Sequence, residues 1–138
     1  MASPNVETLK HAYHLWDKSK GGSVDHWMSI IAEQVDFRSI VDGMPQIPFG
    51  KRSMDKVGVR QYLSGLTAGW EMIYYRVDKY IEQGDDIAVV GATSWRNRAS
   101  GKVATTPLVC LWTFKNGQAT GFFEFVDTHQ IAQCTDCG

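Results

Sequence analysis

Apolar residues recur with two different periods along the 138-residue chain, and the change of period divides it. Val6, Leu9, Tyr13 and Trp16 fall at helical spacing, and Ser3-Pro4 ahead of them supplies a capping side chain and a proline in the first helical turn. Gly21-Gly22 ends that helix. A second, shorter helix is predicted from Asp25 to Glu33, with Trp27 and Ile30/Ile31 on its apolar side. Val35 to Ile40 reads as a short strand. Gly43, Pro45, Pro48 and Gly50 make 42–53 a loop. Val59, Leu63, Leu66 and Trp70 mark a third helix beginning near Asp55. From Trp70 onward the helical period is gone. Four β-type runs follow, over 70–82, 86–98, 102–115 and 118–130, with turn signals at Gly84-Asp85, Ser100-Gly101 and Asn116-Gly117. The prediction is an α+β domain, three helices laid on one face of a curved, mostly antiparallel meander.

Which side chains share a face depends on the hairpin loops, because a one-residue slip moves every side chain to the other side. Asn116-Gly117 fits either a two-residue turn or the end of a three-residue turn with a glycine bulge. With three-residue loops throughout, even-numbered residues share one face: Trp70, Met72, Tyr74, Arg76, Asp78, Ala88, Val90, Ala92, Ser94, Arg96, Thr106, Leu108, Cys110, Trp112, Phe122, Glu124 and Val126. The other face carries Ile73, Tyr75, Val77, Ile87, Val89, Trp95, Val109, Leu111, Phe123 and Phe125 and is almost wholly apolar. The even face, apolar with a few polar groups, has the make-up of a ligand pocket. Helices can cover only one side, so the remaining apolar face predicts a homodimer through the sheet.

Composition narrows the function. The chain is 43% apolar and 21% charged, with 14 Lys+Arg against 15 Asp+Glu. Its length fits a single domain over 1–138, with a core over 5–130 and a C-terminal tail over 131–138. Both signs of charge are spread along the chain, which argues against a nucleic-acid partner. The longest apolar runs, such as Ile87 to Val90, are too short to cross a bilayer. The opening residues have neither a basic nor an apolar leader segment, and three cysteines make no disulfide framework. The expectation is a reduced, cytoplasmic protein without a membrane partner.

Several stretches, in this order, resemble one family. Tyr13-His-Leu-Trp-Asp, Trp27 and Val35-Asp-Phe-Arg-Ser are similar to the opening of SnoaL-like proteins. Val77-Asp-Lys-Tyr-Ile-Glu-Gln-Gly-Asp-Asp-Ile-Ala-Val-Val-Gly, then Trp95-Arg-Asn-Arg-Ala-Ser-Gly-Lys, then Phe114-Lys-Asn-Gly-Gln leading into Phe123-Glu-Phe-Val-Asp-Thr, resemble their hairpins. The resemblance spans residues 5–130. It implies the ketosteroid isomerase-like, nuclear transport factor two-like superfamily, whose fold is a conical α+β barrel with a pocket between helices and sheet. That fold hosts isomerases, cyclases, hydratases, hydrolases, binding proteins and non-catalytic subunits, so it does not give the function. The general base of ketosteroid isomerases matches Ser39 here, and their strand carboxylic acid matches Cys110. Only their helix-one tyrosine has a counterpart, Tyr13. Serine and cysteine supply neither the base nor the oxyanion donor readily, which argues against steroid isomerisation by that mechanism.

Other residues could carry chemistry. Glu124, between Phe122 and Val126, is a carboxyl in apolar surroundings and a candidate acid or base; its alternative is pairing with Arg76 or Arg96. Asp127 takes its place if the register is reversed, and SnoaL-like cyclases use an acidic residue as base. Arg96 could hold the polar end of a ligand or stand in solvent. Asp36 and Arg38 read as an edge ion pair or pocket rim. His11 and His14 share a helix face without an acidic partner, and His26 and His129 read as isolated surface groups, so no metal site is expected. Cys134 and Cys137 form a C-x-x-C pair outside the context of a redox motif and short of a zinc ligand set.

The reading is a SnoaL-like protein binding or transforming a small, largely apolar organic molecule by acid–base chemistry without a cofactor. Glu124 or Asp127 would move the proton, Tyr13 would donate a hydrogen bond and Arg96 would orient the ligand. Trp70, Met72, Tyr74, Cys110, Trp112, Phe122 and Val126 would shape the pocket. The alternative is a non-catalytic small-molecule-binding or assembly module of the same fold. A third resemblance, to the small subunit of a ring-hydroxylating dioxygenase, ranks last because those chains are usually longer.

Overall fold

A computed structural model describes residues 3–135. Its elements run α1 (Pro4–Lys18), α2 (Val24–Ile30), β1 (Ile31–Ser39), β2 (Ser53–Asp55), α3 (Lys56–Gly69), β3 (Trp70–Gln83), β4 (Asp86–Asn97), β5 (Val103–Lys115), β6 (Gln118–Val126) and α4 (Thr128–Thr135). The strands form one mixed sheet in the order β2-β1-β6-β5-β4-β3. β1 pairs parallel to β6, and the other pairs are antiparallel. The architecture is α+β, and the sheet is open, with β2 and β3 at its edges.

The helix signals act as capping chemistry requires. The Ser3 side chain accepts from the Val6 N–H at 3.2 Å and Asp55 from the Gly58 N–H at 2.9 Å, each satisfying an amide that the first helical turn leaves unpaired. Val6, Leu9, Tyr13 and Trp16 are buried on one side of α1. Three features depart from the sequence reading. The chain turns extended at Ile31, so β1 begins well before Val35 and two strands stand between α2 and α3. The proline-rich loop runs into β2, which pairs with β1 just before α3. The tail contains α4, held by the Ser100 hydroxyl donating to the Cys134 carbonyl. Cys134 is buried and Cys137 lies outside the described residues.

The faces are set by turns and bulges together. Asn116 and Gly117 both have positive φ, 53° and 79°, and close a two-residue turn between Lys115 and Gln118. A bulge between Thr113 and Phe114 then shifts the register, so Trp112 faces Phe122 and Cys110 faces Glu124. Turn plus bulge yields the even–even pairing that a three-residue loop would give. The β4–β5 connection behaves otherwise. Arg96 pairs with Val103, which leaves an even number of residues (97–102) in the loop and sets odd β4 residues beside even β5 residues. On β4 the inward positions are therefore Ile87, Val89, Thr93 and Trp95, all buried. On β3, bulges after Met72 and after Val77 bring Tyr75 opposite Thr93 and leave Tyr74 and Arg76 on the other side. The Asp17 carboxylate accepts from the Tyr75 N–H at 2.9 Å beside the first of these bulges. At the second, Gly91 lets two strands approach, since a Cβ there would collide with the Arg76 carbonyl.

Candidate functional site

Between α1–α3 and the sheet lies a cavity of about 110 Å³. Tyr13 and Trp16 reach it from α1, Trp27 from α2, and Tyr62, Leu63 and Leu66 from α3. The sheet contributes Phe37, Trp70, Tyr75, Thr93, Trp95, Trp112, Phe122, Glu124 and Val126, and Ile131 of α4 joins them. Tryptophan occurs five times in the chain, at 16, 27, 70, 95 and 112, and every one borders this space. The rings pack on one another: Trp27 stacks on Trp112 at 5.4 Å, Tyr13 on Tyr75 at 5.3 Å and Phe37 on Phe122 at 4.4 Å. Such pairs contribute about 0.5–1.5 kcal/mol each beyond area burial, so the wall is stiff.

Besides Thr93 and Thr106, polar groups enter this wall at two places. Glu124 on β6 stands between Ser39 of β1 and Cys110 of β5 in the ladder. Its Oε1 accepts from the Ser39 hydroxyl at 3.2 Å and from the Tyr62 hydroxyl at a long 3.5 Å. The Ser39 oxygen in turn accepts from the Val41 N–H at 3.3 Å. One side of Glu124 borders the cavity, and protein surrounds the rest. Burial is therefore the main influence on its proton and pushes its pKa up, while the Ser39 and Tyr62 hydrogen bonds pull it down. Among the described residues no cation acts on it. The second group centres on Tyr13, whose hydroxyl accepts from the Trp112 indole N–H at 2.9 Å. Nearby, the Tyr75 hydroxyl lies 3.6 Å from Cys110 Sγ. Burial first, and the Cys110 sulfur next, raise the pKa values of Tyr13 and Tyr75 well above the ordinary phenol value. Burial first and Glu124 next do the same to Tyr62. All three remain neutral hydroxyls able to donate.

Of the candidate residues, Glu124, Tyr13, Trp70, Trp112, Phe122 and Val126 border the cavity. Cys110 is fully buried behind the wall, against Tyr75. Met72 is buried without reaching the cavity lining. Tyr74 and Arg96 sit on the opposite face because of the β3 bulges and the even β4–β5 loop. Arg96 is exposed, 3.6 Å from Glu71, and donates to the Gly101 carbonyl. Asp127 is also outside: its Oδ1 accepts from the His129 and Gln130 amides at 3.0 and 3.2 Å, capping α4. Asp36 pairs with Arg52 rather than Arg38, and Arg38 lies over the Phe123 ring. His26 is half-buried and meets His11 edge-on at 5.0 Å, so it is not the isolated surface group its sequence context predicts. Among the described residues no three His, Cys, Asp or Glu side chains converge as a metal site.

Ser39 and Tyr62 escaped sequence reasoning as partners of the acid. Ser39 drew notice only as a missing carboxylate, and Tyr62 sits at core spacing beside Val59, Leu63 and Leu66. Ser39 and Cys110, which the sequence resemblance matches to isomerase carboxylates, both flank Glu124.

This arrangement of helices and mixed sheet recurs in solved structures. An NTF2-like protein of Burkholderia pseudomallei superposes with a TM-score of 0.82 at 23% identity, over 97% of this chain and 98% of its own. The chain has the NTF2-like fold. TerC, co-crystallised with polyporic acid, matches at 0.79 and 23% identity over 96% of this chain and 98% of its own. A Jannaschia protein named for the SnoaL-like polyketide cyclases matches at 0.76 and 18% identity, over 98% of this chain and 93% of its own. No protein-family model matches the chain, and no curated protein does. In this NTF2-like chain no helix among the described residues is long and apolar enough to cross a membrane.

Proposed function

We propose that the cavity binds a small, largely apolar organic molecule and catalyses acid–base chemistry on it, with Glu124 as the group that gives and takes the proton. The observation that carries this reading is one carboxyl on a largely aromatic and aliphatic wall, its proton favoured by burial and its Oε1 held by neutral hydroxyls. A group so placed has its pKa raised toward working pH, the direction that suits a general acid or base. Ionised, Glu124 removes a proton from a carbon next to a carbonyl; protonated, it returns the proton. Tyr13 donates to the oxygen on which charge develops, and Tyr62 does so when its O–H turns from Glu124 to the ligand. The chemistry needs no cofactor. A similar structure co-crystallised with polyporic acid and the cyclase names among similar structures favour a small-molecule ligand. A second copy of the chain covers the outer face of the sheet in this reading.

The test is hydrogen exchange. Small aryl ketones incubated with the protein in deuterated buffer should exchange their α-protons faster than in buffer alone, as followed by proton NMR. Glu124→Gln keeps the shape and should slow this exchange by about 10²–10⁴-fold. The absence of exchange above buffer on any ketone that binds would leave the non-catalytic binding module, which Ser39 and Cys110 at the isomerase carboxylate positions favour.

A further inference from the structure

The cavity itself limits what can occupy it. We infer that its ligand is an uncharged compound with a single aromatic ring and one carbonyl or hydroxyl group, the ring lying among Trp27, Trp95 and Trp112 and the polar group reaching Glu124 and Tyr62. This deepens the reading above and rests on it for the role of Glu124. Three independent features of the wall support it.

The first is ring content. Every tryptophan of the chain, Trp16, Trp27, Trp70, Trp95 and Trp112, is spent on this one cavity. Indoles offer flat, polarisable faces and edges, and these select an aromatic guest over an aliphatic one of the same size. The second is charge. Among the described residues no Lys, Arg or His borders the cavity, and the carboxyl of Glu124 accepts only from hydroxyls, both at Oε1. A ligand carboxylate or phosphate brought here would lose its water, find no cation and face Glu124, which is a heavy penalty. An ammonium would meet only a carboxyl that burial keeps inclined to hold its proton. The third is size. The space of about 110 Å³ is smaller than the engineered cavity of about 150 Å³ that takes benzene. One ring is the most it holds with its stacked walls in place, and a second ring must push them apart.

Four ketones separate these features: acetophenone, cyclohexyl methyl ketone, 4-acetylbenzoate and 2-acetylnaphthalene, each titrated into the full chain by calorimetry. Acetophenone should bind about tenfold more tightly than the saturated analogue. It should bind about 10²-fold more tightly than the carboxylate. It should bind about tenfold more tightly than the two-ring ketone, although the larger ring would win on hydrophobicity alone if it fitted. Its binding should also change tryptophan fluorescence. Equal affinity for the cyclohexyl ketone overturns the aromatic requirement, equal affinity for 4-acetylbenzoate overturns the neutral one, and tighter binding of the naphthyl ketone overturns the single ring. Binding of none of the four overturns the inference as a whole. The two proposals fail differently. Acetophenone binding without α-proton exchange removes the acid–base role of Glu124 and keeps the ligand class. Exchange on the naphthyl or cyclohexyl ketone but not on acetophenone does the reverse.

Discussion

The Glu124 carboxyl couples the site to pH and to stability. Burial makes the folded protein hold this proton more tightly than the unfolded chain does. In the interval between the ordinary glutamate value and the raised folded value, the native state therefore binds more protons than the unfolded state, and stability falls as pH rises. The contribution is complete below the unfolded value and is lost as pH climbs through the folded one. Thermal denaturation of the protein and of Glu124→Gln across this interval should show the native chain losing stability relative to the variant as pH rises. The opposite trend would mean that a cation partners the acid. At this scale Glu124 and Tyr13 were legible in the sequence, because a lone acid between apolar neighbours and a tyrosine on a helical stripe are visible there. Ser39 and Tyr62 were not. A serine carries no charge, a tyrosine at core spacing looks like packing, and only the parallel β1–β6 pairing brings Ser39 beside the acid.

The elements were easier to read than their facing. The caps at Ser3 and Asp55 and the turns at Gly84-Asp85 and Asn116-Gly117 follow from local chemistry and stand where the pattern put them. Facing depends on parity, which each bulge and each loop residue reverses. The bulge at Thr113/Phe114 compensated for the shorter turn, so β5 and β6 faced as expected. The even β4–β5 loop and the two bulges on β3 had no such compensation, so Arg96, Tyr74 and Arg76 turned outward while Tyr75, Thr93 and Trp95 turned in. Alternating apolar residues on both faces of β4 gave no hint of the exchange. α4 is the element whose role changed most, since Asp127 ends β6 as the cap of a helix that sets Ile131 on the cavity. Asp127→Ala should cost about 1 kcal/mol in chemical denaturation and reduce hydrogen-exchange protection within α4. Asp127→Asn, which keeps a capping oxygen, should change stability by no more than a few tenths of that. A loss of α-proton exchange in Asp127→Asn matching that of Glu124→Gln would show that the two acids act together.

For the whole molecule, the exchange of faces redraws the outer surface of the sheet. Tyr75, Ile87, Val89 and Trp95 leave it for the interior, and Ala88, Val90 and Ala92 of β4 come out beside Leu111, Val109 and Pro107 of β5. Next to them, Phe123 and Phe125 stack on each other at 4.4 Å, and Arg38 lies 4.1 Å over Phe123. Leu111 keeps 45% of its surface exposed. The result is a flatter apolar face than the sequence pattern drew, with small residues at one side and large ones at the other. In the proposed dimer, a two-fold axis would set the alanines of one copy against the phenylalanines of the other. A homodimer through β4, β5 and β6 is therefore the expected solution state, and light scattering should give twice the chain mass at micromolar concentration. Leu111→Glu introduces two carboxylates, one per copy, into the apolar part of this face, beside Ala88 and Val109. It should weaken association at least about tenfold while leaving acetophenone binding unchanged, since Leu111 points away from the cavity. A monomeric native protein at that concentration would overturn the dimer. A dimer untouched by Leu111→Glu would move the contact to another surface and leave this face for a different partner.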